Sequence, residues 1–156
     1  MTNPALRKIM VTGGAGFIGS AVVRRLVRAS HSVGNIDKLT YAATPKAIEE
    51  CLESPHYRLF QIDICDSEAV RQAFDDFQPD CVMHLAAETH VDRSIDGPGA
   101  FIQTNVIGTF TMLQAARGYY EGLSGAQRDG FRFHHVSTDE VFGSLSPTDP
   151  AFEETT

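Results

Sequence analysis

Seven residues near the N-terminus, Gly13-Gly14-Ala15-Gly16-Phe17-Ile18-Gly19, leave this chain few ways to fold. The run before them, Lys8 to Thr12 (KIMVT), is β-rich. The run after them, Phe17 to Ala29, is apolar at Phe17, Ile18, Ala21, Val22, Leu26 and Val27, with Arg24, Arg25 and Arg28 on the other side. That spacing predicts a helix. The glycines satisfy G-x-G-x-x-G at Gly14, Gly16 and Gly19, and G-x-x-G-x-x-G at Gly13, Gly16 and Gly19. Glycine adopts backbone angles that other residues resist, so the chain can turn sharply and approach a bound anion closely. The N–H groups at the start of the following helix then face that anion.

The rest of the chain alternates in the same way. Ser32 to Ile36 predicts a second strand, closed by Asp37. Pro45 to Leu52 predicts a short helix, with Thr44 as N-cap and Pro45 at its first position. Tyr57 to Ile64 alternates apolar and polar residues and predicts a third strand. Asp66 or Ser67 caps a helix running to about Phe77, and Pro79 ends it. Cys81 to Leu85 is the fourth strand. Gly99 to about Tyr120 is a long helix, apolar at Ile102, Val106, Phe110, Leu113 and Ala116. Phe131 to Ser137 is the fifth strand, and the tail from Gly143 reads as loop. Five strands separated by helices imply an α/β fold of three layers, built on a parallel sheet. In such sheets ligands sit beyond the carboxyl ends of the strands. No second boundary appears, so residues 1–156 are read as one domain.

Charge and cysteine usage narrow the function. A net charge of −7 argues against a nucleic-acid partner, which needs a basic face. No run approaches the roughly 20 apolar residues of a membrane span. The first residues, Met1 to Ala5, carry no apolar secretion segment. Cys51, Cys65 and Cys81 fit buried thiols in a reducing cytoplasm better than a disulfide set or a metal site, and no metal is expected.

Asp37 follows Gly19 by 18 residues and ends the second strand. A carboxylate there hydrogen-bonds adenosine ribose hydroxyls and repels a 2′-phosphate, which favours NAD over NADP. Lys38 beside it is a cation that could tolerate a phosphate. Asp63-Ile64 ends the third strand; Asp63 either meets the adenine or caps the next helix, and both readings stay open. Leu85-Ala86-Ala87 ends the fourth strand with small residues, suited to a flat cofactor ring or to tight packing. Ser137-Thr138-Asp139-Glu140 closes the fifth strand. Two carboxylates and a hydroxyl at the mouth of a cofactor cleft suggest acid–base work, since like-charge proximity and burial can separate two carboxyl pKa values. Thr89 could hold a substrate hydroxyl. His90 and Asp92 read as loop-ordering residues, and His134 and His135 as structural, at least one of them facing the sheet packing.

VTGGAGFIGS (Val11 to Ser20), NIDKLTYA (Asn35 to Ala42), HLAAETHVDRSI (His84 to Ile95), FIQTNVIGTFTML (Phe101 to Leu113) and FHHVSTDEVFGSL (Phe133 to Leu145) together resemble the extended short-chain dehydrogenase/reductase family. Within it they are most similar to the dTDP-glucose 4,6-dehydratases of nucleotide-sugar metabolism. The resemblance implies a Rossmann-type NAD-binding fold and a lyase reaction. The sugar would be oxidised at C4, lose water across C5–C6 and be reduced at C6, giving dTDP-4-dehydro-6-deoxy-glucose from dTDP-glucose. It implies that Glu140 is the base at C5, that Asp139 protonates the departing C6 hydroxyl, and that Thr138 hydrogen-bonds the C4 oxygen. It implies that Phe17, Ile18, Asp37, Lys38, Leu39, Thr40, Asp63, Ile64, Leu85, Ala86, Ala87 and Thr104 touch NAD, and that Thr89 touches the substrate.

The family also uses a Tyr-x-x-x-Lys pair, absent from these residues: no lysine stands four places after Tyr41, Tyr57, Tyr119 or Tyr120. The expectation is therefore the N-terminal part of a longer enzyme, inactive by itself, with a sheet incomplete at its C-terminal side and an exposed edge on the fifth strand. A short non-catalytic NAD-binding module and a related sugar-nucleotide epimerase are the alternatives; the Asp-Glu pair argues against the epimerase. The full enzyme is expected to be a homodimer, with the helix from Gly99 as a candidate contact.

Overall fold

Short β-branched and apolar runs pair into a five-stranded sheet made of β1 (Lys8–Thr12), β2 (Ser32–Ile36), β3 (Tyr57–Phe60), β4 (Cys81–His84) and β5 (Arg132–His135). Every pairing is parallel, and the order is β3-β2-β1-β4-β5. The computed structural model describes residues 6–156, apart from the side chains of Val91 and Arg93; the stretch Met1 to Ala5 lies outside them. The strands are joined by α1 (Phe17–Arg28), a 3₁₀ helix (Pro45–Cys51), α2 (Ser67–Phe77), α3 (Val91–Asp96), α4 (Pro98–Phe101), a π-helical segment (Ile102–Gly108), α5 (Thr109–Gly122) and α6 (Gly125–Gly130). A last 3₁₀ turn spans Asp139–Phe142.

Both faces of the sheet are covered, as parallel sheets require. On one face Ile9, Val11 and Val33 pack with Val23 of α1 and with Ile48 and Cys51 of the 3₁₀ helix. On the other, Met10, Ile36 and Val82 pack with Val70, Phe74 and Phe77 of α2 and Met112 and Ala116 of α5. Successive residues of β1 thus feed opposite cores, which is the period of two of a strand. The chain leaves β1 for β2 on one side and returns to β4 on the other. That reversal opens a crevice at the carboxyl ends of β1 and β4.

Several boundaries differ from the sequence reading. β3 ends at Phe60, because β2 has no ladder group left after the Asp37 N–H bonds the Phe60 carbonyl at 3.1 Å. β5 is likewise limited by its partner β4, and the Val136 N–H closes the pairing on the His84 carbonyl at 3.0 Å. Thr44 does not cap the 3₁₀ helix with its side chain; its N–H instead bonds the Ala15 carbonyl at 2.7 Å. Asp66, not Ser67, caps α2, accepting the Ala69 N–H at 3.0 Å. The long helix is broken by its π-helical stretch. Its apolar stripe of Ile102, Val106, Phe110 and Leu113 is exposed, whereas Thr104, Gly108, Thr111, Met112 and Ala116 face inward. α3 and α6 have no counterpart in the sequence reading.

Candidate functional site

The glycine turn fills the crevice mouth above β1. Gly13 has φ +69°, and a Cβ there would lie 2.9 Å from the Ala86 Cα. A Cβ on Gly19 would lie 2.0 Å from the Gly13 carbonyl oxygen. The turn is thus packed so tightly against itself and against the β4 loop that side chains are excluded. Two side chains of the β2 strand and its end hold it. Asn35 Oδ1 accepts the Gly14 N–H at 3.0 Å, and Asp37 Oδ2 accepts the Ala15 N–H at 2.8 Å. The other Asp37 oxygen accepts the Leu39 N–H at 2.8 Å, in a bend where Leu39 has φ +56°. Fixed in this way, the carboxylate keeps further lone pairs for ribose hydroxyls.

The N-terminus of α1 has no side-chain cap at Gly16. Phe17 and Ile18, its first residues, are 93% and 62% exposed. An uncapped helix start presents donors and positive potential. Beside a cradle that admits no Cβ, it suits a pyrophosphate, and the apolar tip offers cover to the rest of a dinucleotide. The residues therefore fit NAD.

At the ends of β2 and β3, Lys38 Nζ donates to Asp63 Oδ2 at 3.0 Å, and Asp63 Oδ1 accepts the Cys65 N–H at 2.9 Å. Asp63 is thus no cap of α2, whose cap is Asp66; its side chain is engaged by Lys38 and by the Cys65 N–H. Partial burial pushes its carboxyl up, but the Cys65 N–H and the Lys38 ammonium outweigh this and hold it below the usual range. The hydrogen bond to Asp63 holds Lys38 above its ordinary value. Ile64 beside it is buried in the core, and Thr40 lies half-buried in the loop after β2.

Between β1 and β4 lies a buried polar network. The Thr12 hydroxyl accepts the Leu85 and Ala86 N–H groups at 3.1 and 3.0 Å. Its one proton is then directed to His84 Nδ1, 2.7 Å away. The ring proton therefore sits on Nε2, which donates to Thr109 Oγ1 at 3.1 Å. Burial, with His135 stacked at 5.3 Å, lowers the His84 pKa to about 4. The neutral ring fixes the backbone of Leu85 and Ala86, against which Gly13 packs. Further out, Asn105 of the π-helical segment grips the Glu88 backbone. Its Oδ1 accepts the Glu88 N–H at 2.8 Å, and its Nδ2 donates to the Glu88 carbonyl at 2.9 Å. Tyr41 donates to Glu88 Oε2 at 2.6 Å, and its ring lies 5.9 Å from that of His90, so the loops after β2 and β4 are tied together. Ala87 and Thr89 are exposed on this rim, and Thr104 is buried beneath it.

Thr138, Asp139 and Glu140 follow β5 on the same carboxyl edge. Thr138 Oγ1 accepts the Glu140 N–H at 3.4 Å and donates to Asp139 Oδ1 at 3.3 Å. All three are exposed. His134 and His135 are both exposed, and His135 stacks on buried His84 with ring centroids 5.3 Å apart. Sequence reasoning missed Thr12, Asn35, His84, Asn105 and Thr109. The first three shared one signal: a polar residue at or beside the end of an otherwise apolar strand, at the crevice. Asn105 and Thr109 gave no such signal within their helix.

A family model described as GDP-mannose 4,6 dehydratase matches residues 10–156. A dTDP-glucose 4,6-dehydratase of Neisseria meningitidis serogroup B is 54% identical over 151 residues, covering 96% of this chain and 42% of its own length. The dTDP-glucose 4,6-dehydratase 1 of Escherichia coli K12 is 52% identical, covering 96% of this chain and 44% of its own. The chain thus spans less than half the length of these relatives. Among solved structures, a double mutant of the dTDP-glucose 4,6-dehydratase of Streptomyces venezuelae, with NAD bound, superposes with a TM-score of 0.80 at 36% identity, over 94% of this chain and 44% of that one. The UDP-glucose 4-epimerase of Thermus thermophilus, also with NAD, gives 0.77 at 30%, over 94% and 42%. Because that one family model matches residues 10–156, nearly all of the length and the glycine turn with it, the chain belongs to the GDP-mannose 4,6 dehydratase family.

Proposed function

We propose that residues 1–156 are the NAD-binding domain of a dTDP-glucose 4,6-dehydratase. The observation that carries the reading is that one carboxyl edge holds three things: a glycine cradle with Asp37 beside it, the β4 loop fixed by His84 and Asn105, and the Thr138-Asp139-Glu140 motif. A pure binding module has no use for the last of these. The identity of about half to dTDP-glucose dehydratases supports this substrate over others. When bound, NAD would supply the hydride acceptor for C4 and, once reduced, the donor for C6, so that water is lost without net oxidation; the C4 hydroxyl proton would go to the Tyr of the family's Tyr-x-x-x-Lys pair, which these residues do not contain. Glu140 takes the proton from C5 and returns one there when C6 is reduced, Asp139 protonates the departing C6 hydroxyl, and Thr138 hydrogen-bonds the C4 oxygen, with Thr89 on the sugar. Gly13, Gly16 and Gly19 bring the backbone to the pyrophosphate, Asp37 holds the ribose, and Asp63 with the backbone of Ile64, whose side chain is core, meets the adenine.

These 156 residues hold no Tyr-x-x-x-Lys spacing. In this reading the chain alone binds NAD without turning over substrate. The exposed stripe of Ile102, Val106, Phe110 and Leu113 supports a homodimer contact. No helix among the described residues is long and apolar enough to cross a membrane. The three free cysteines suit a reducing compartment, and the reading places the protein in the cytoplasm.

The test is a binding titration with NAD, followed by incubation with NAD and dTDP-glucose and mass spectrometry of the sugar nucleotide. Binding without a product lighter by one water is expected. No NAD binding by the folded chain would refute the cofactor reading. Product would refute the inactive-alone reading.

A further inference from the structure

We propose that Asp63 enforces the preference for an unphosphorylated adenosine ribose by holding Lys38 away from it. The inference rests on the dinucleotide reading and deepens it. Asp37 and Lys38 follow one another at the carboxyl end of β2. Asp37 is immobilised by the Ala15 and Leu39 N–H groups, 2.8 Å each, and so cannot swing to neutralise its neighbour. A cation directly after the ribose-reading carboxylate is the group that would pair with a 2′-phosphate. Here that cation is already engaged, with Nζ 3.0 Å from Asp63 Oδ2. The carboxylate comes from the end of the neighbouring strand, 25 residues away, and is itself oriented by the Cys65 N–H at 2.9 Å. A 2′-phosphate therefore meets one fixed carboxylate and one neutralised ammonium. Both partners are partly solvent-exposed, 38% and 39% at their side chains, so the pair adds little to the fold and its variants are soluble probes.

The experiment is calorimetric titration of the whole chain with NAD and with NADP for four proteins: the parent, Asp63→Asn, Lys38→Met and the double variant. Comparing the NADP-to-NAD affinity ratio cancels any contact that Asp63 makes to the adenine, which the two nucleotides share. Asp63→Asn raises that ratio roughly tenfold at low salt, the scale of one freed charge beside a phosphate. In the double variant the gain disappears. An unchanged ratio in Asp63→Asn overturns the proposal. So does a gain that survives in the Lys38→Met background, which would make Asp63 a direct repeller instead. A parent that binds neither nucleotide overturns the dinucleotide reading, and this inference with it.

Discussion

His84 is buried with both ring nitrogens engaged, and its proton location follows from its neighbours alone. Its pKa is about 4 in the folded chain against 6.5 for the free side chain. Between these values the unfolded chain binds a proton that the native one refuses. Stability is therefore undiminished above pH 6.5, falls as the pH drops through 6.5, and levels below the folded value. The loss is on the order of 3 kcal/mol. Urea unfolding from pH 7 to pH 4 measures this slope. His84→Gln supplies one acceptor and one donor but does not titrate, so it flattens the slope. At the glycine turn the limit is steric. Gly19→Ala places a methyl group 2.0 Å from the Gly13 carbonyl, so the turn must open. The expected cost is about 1–3 kcal/mol of stability, with loss of NAD affinity in the titration above.

At the scale of elements, the π-helical segment before α5 has a visible consequence. One of its residues, Asn105, reaches back to both backbone groups of Glu88. Insertions of this kind occur often at functional sites. Asn105→Ala leaves the helix but frees the loop, at about 1–3 kcal/mol. Hydrogen exchange of the Glu88 amide would rise while the amides of β1 keep their protection. The α2 cap is a purely local counterpart: Asp66→Ala costs about 1 kcal/mol in thermal or urea unfolding. Asp66 and the helix after it were legible from sequence because a cap is a short-range device. The π-helical stretch was not. Its apolar residues have ordinary helical spacing, which carries no sign of the extra residue per turn.

For the whole molecule, the exposed stripe on the long helix is an apolar surface that packing leaves uncovered. Phe110 and Ile102 are each 58% exposed on a helix whose other face is core. Apolar patches of this kind drive association. Phe110→Glu is expected to lower the apparent mass of the chain in sedimentation without shifting its unfolding midpoint by more than about 0.5 kcal/mol. An unchanged sedimentation profile would remove the support for a dimer contact on this face. Periodicity could locate the stripe but not its direction, since a helix repeats the same spacing whether its apolar side meets the sheet or a second chain.

Much was written locally. The Gly13 to Gly19 turn, the alternation of strand and helix, Asp37 at a strand end and the acid pair after β5 are short-range patterns. Backbone sterics and hydrophobic periodicity impose them wherever the rest of the chain goes. Tertiary structure decided what depends on groups far apart in sequence. It assigned Asp63 to Lys38 instead of to a helix cap, wired Thr12 through His84 to Thr109, and turned the apolar stripe of the long helix outward. It also left Asp139 and Glu140 exposed on the carboxyl edge of the sheet. In each case the deciding contact forms only after parallel strands have been brought side by side by a crossover. The free energy of a buried or paired polar group is set by those neighbours, and no residue's own chemistry specifies them.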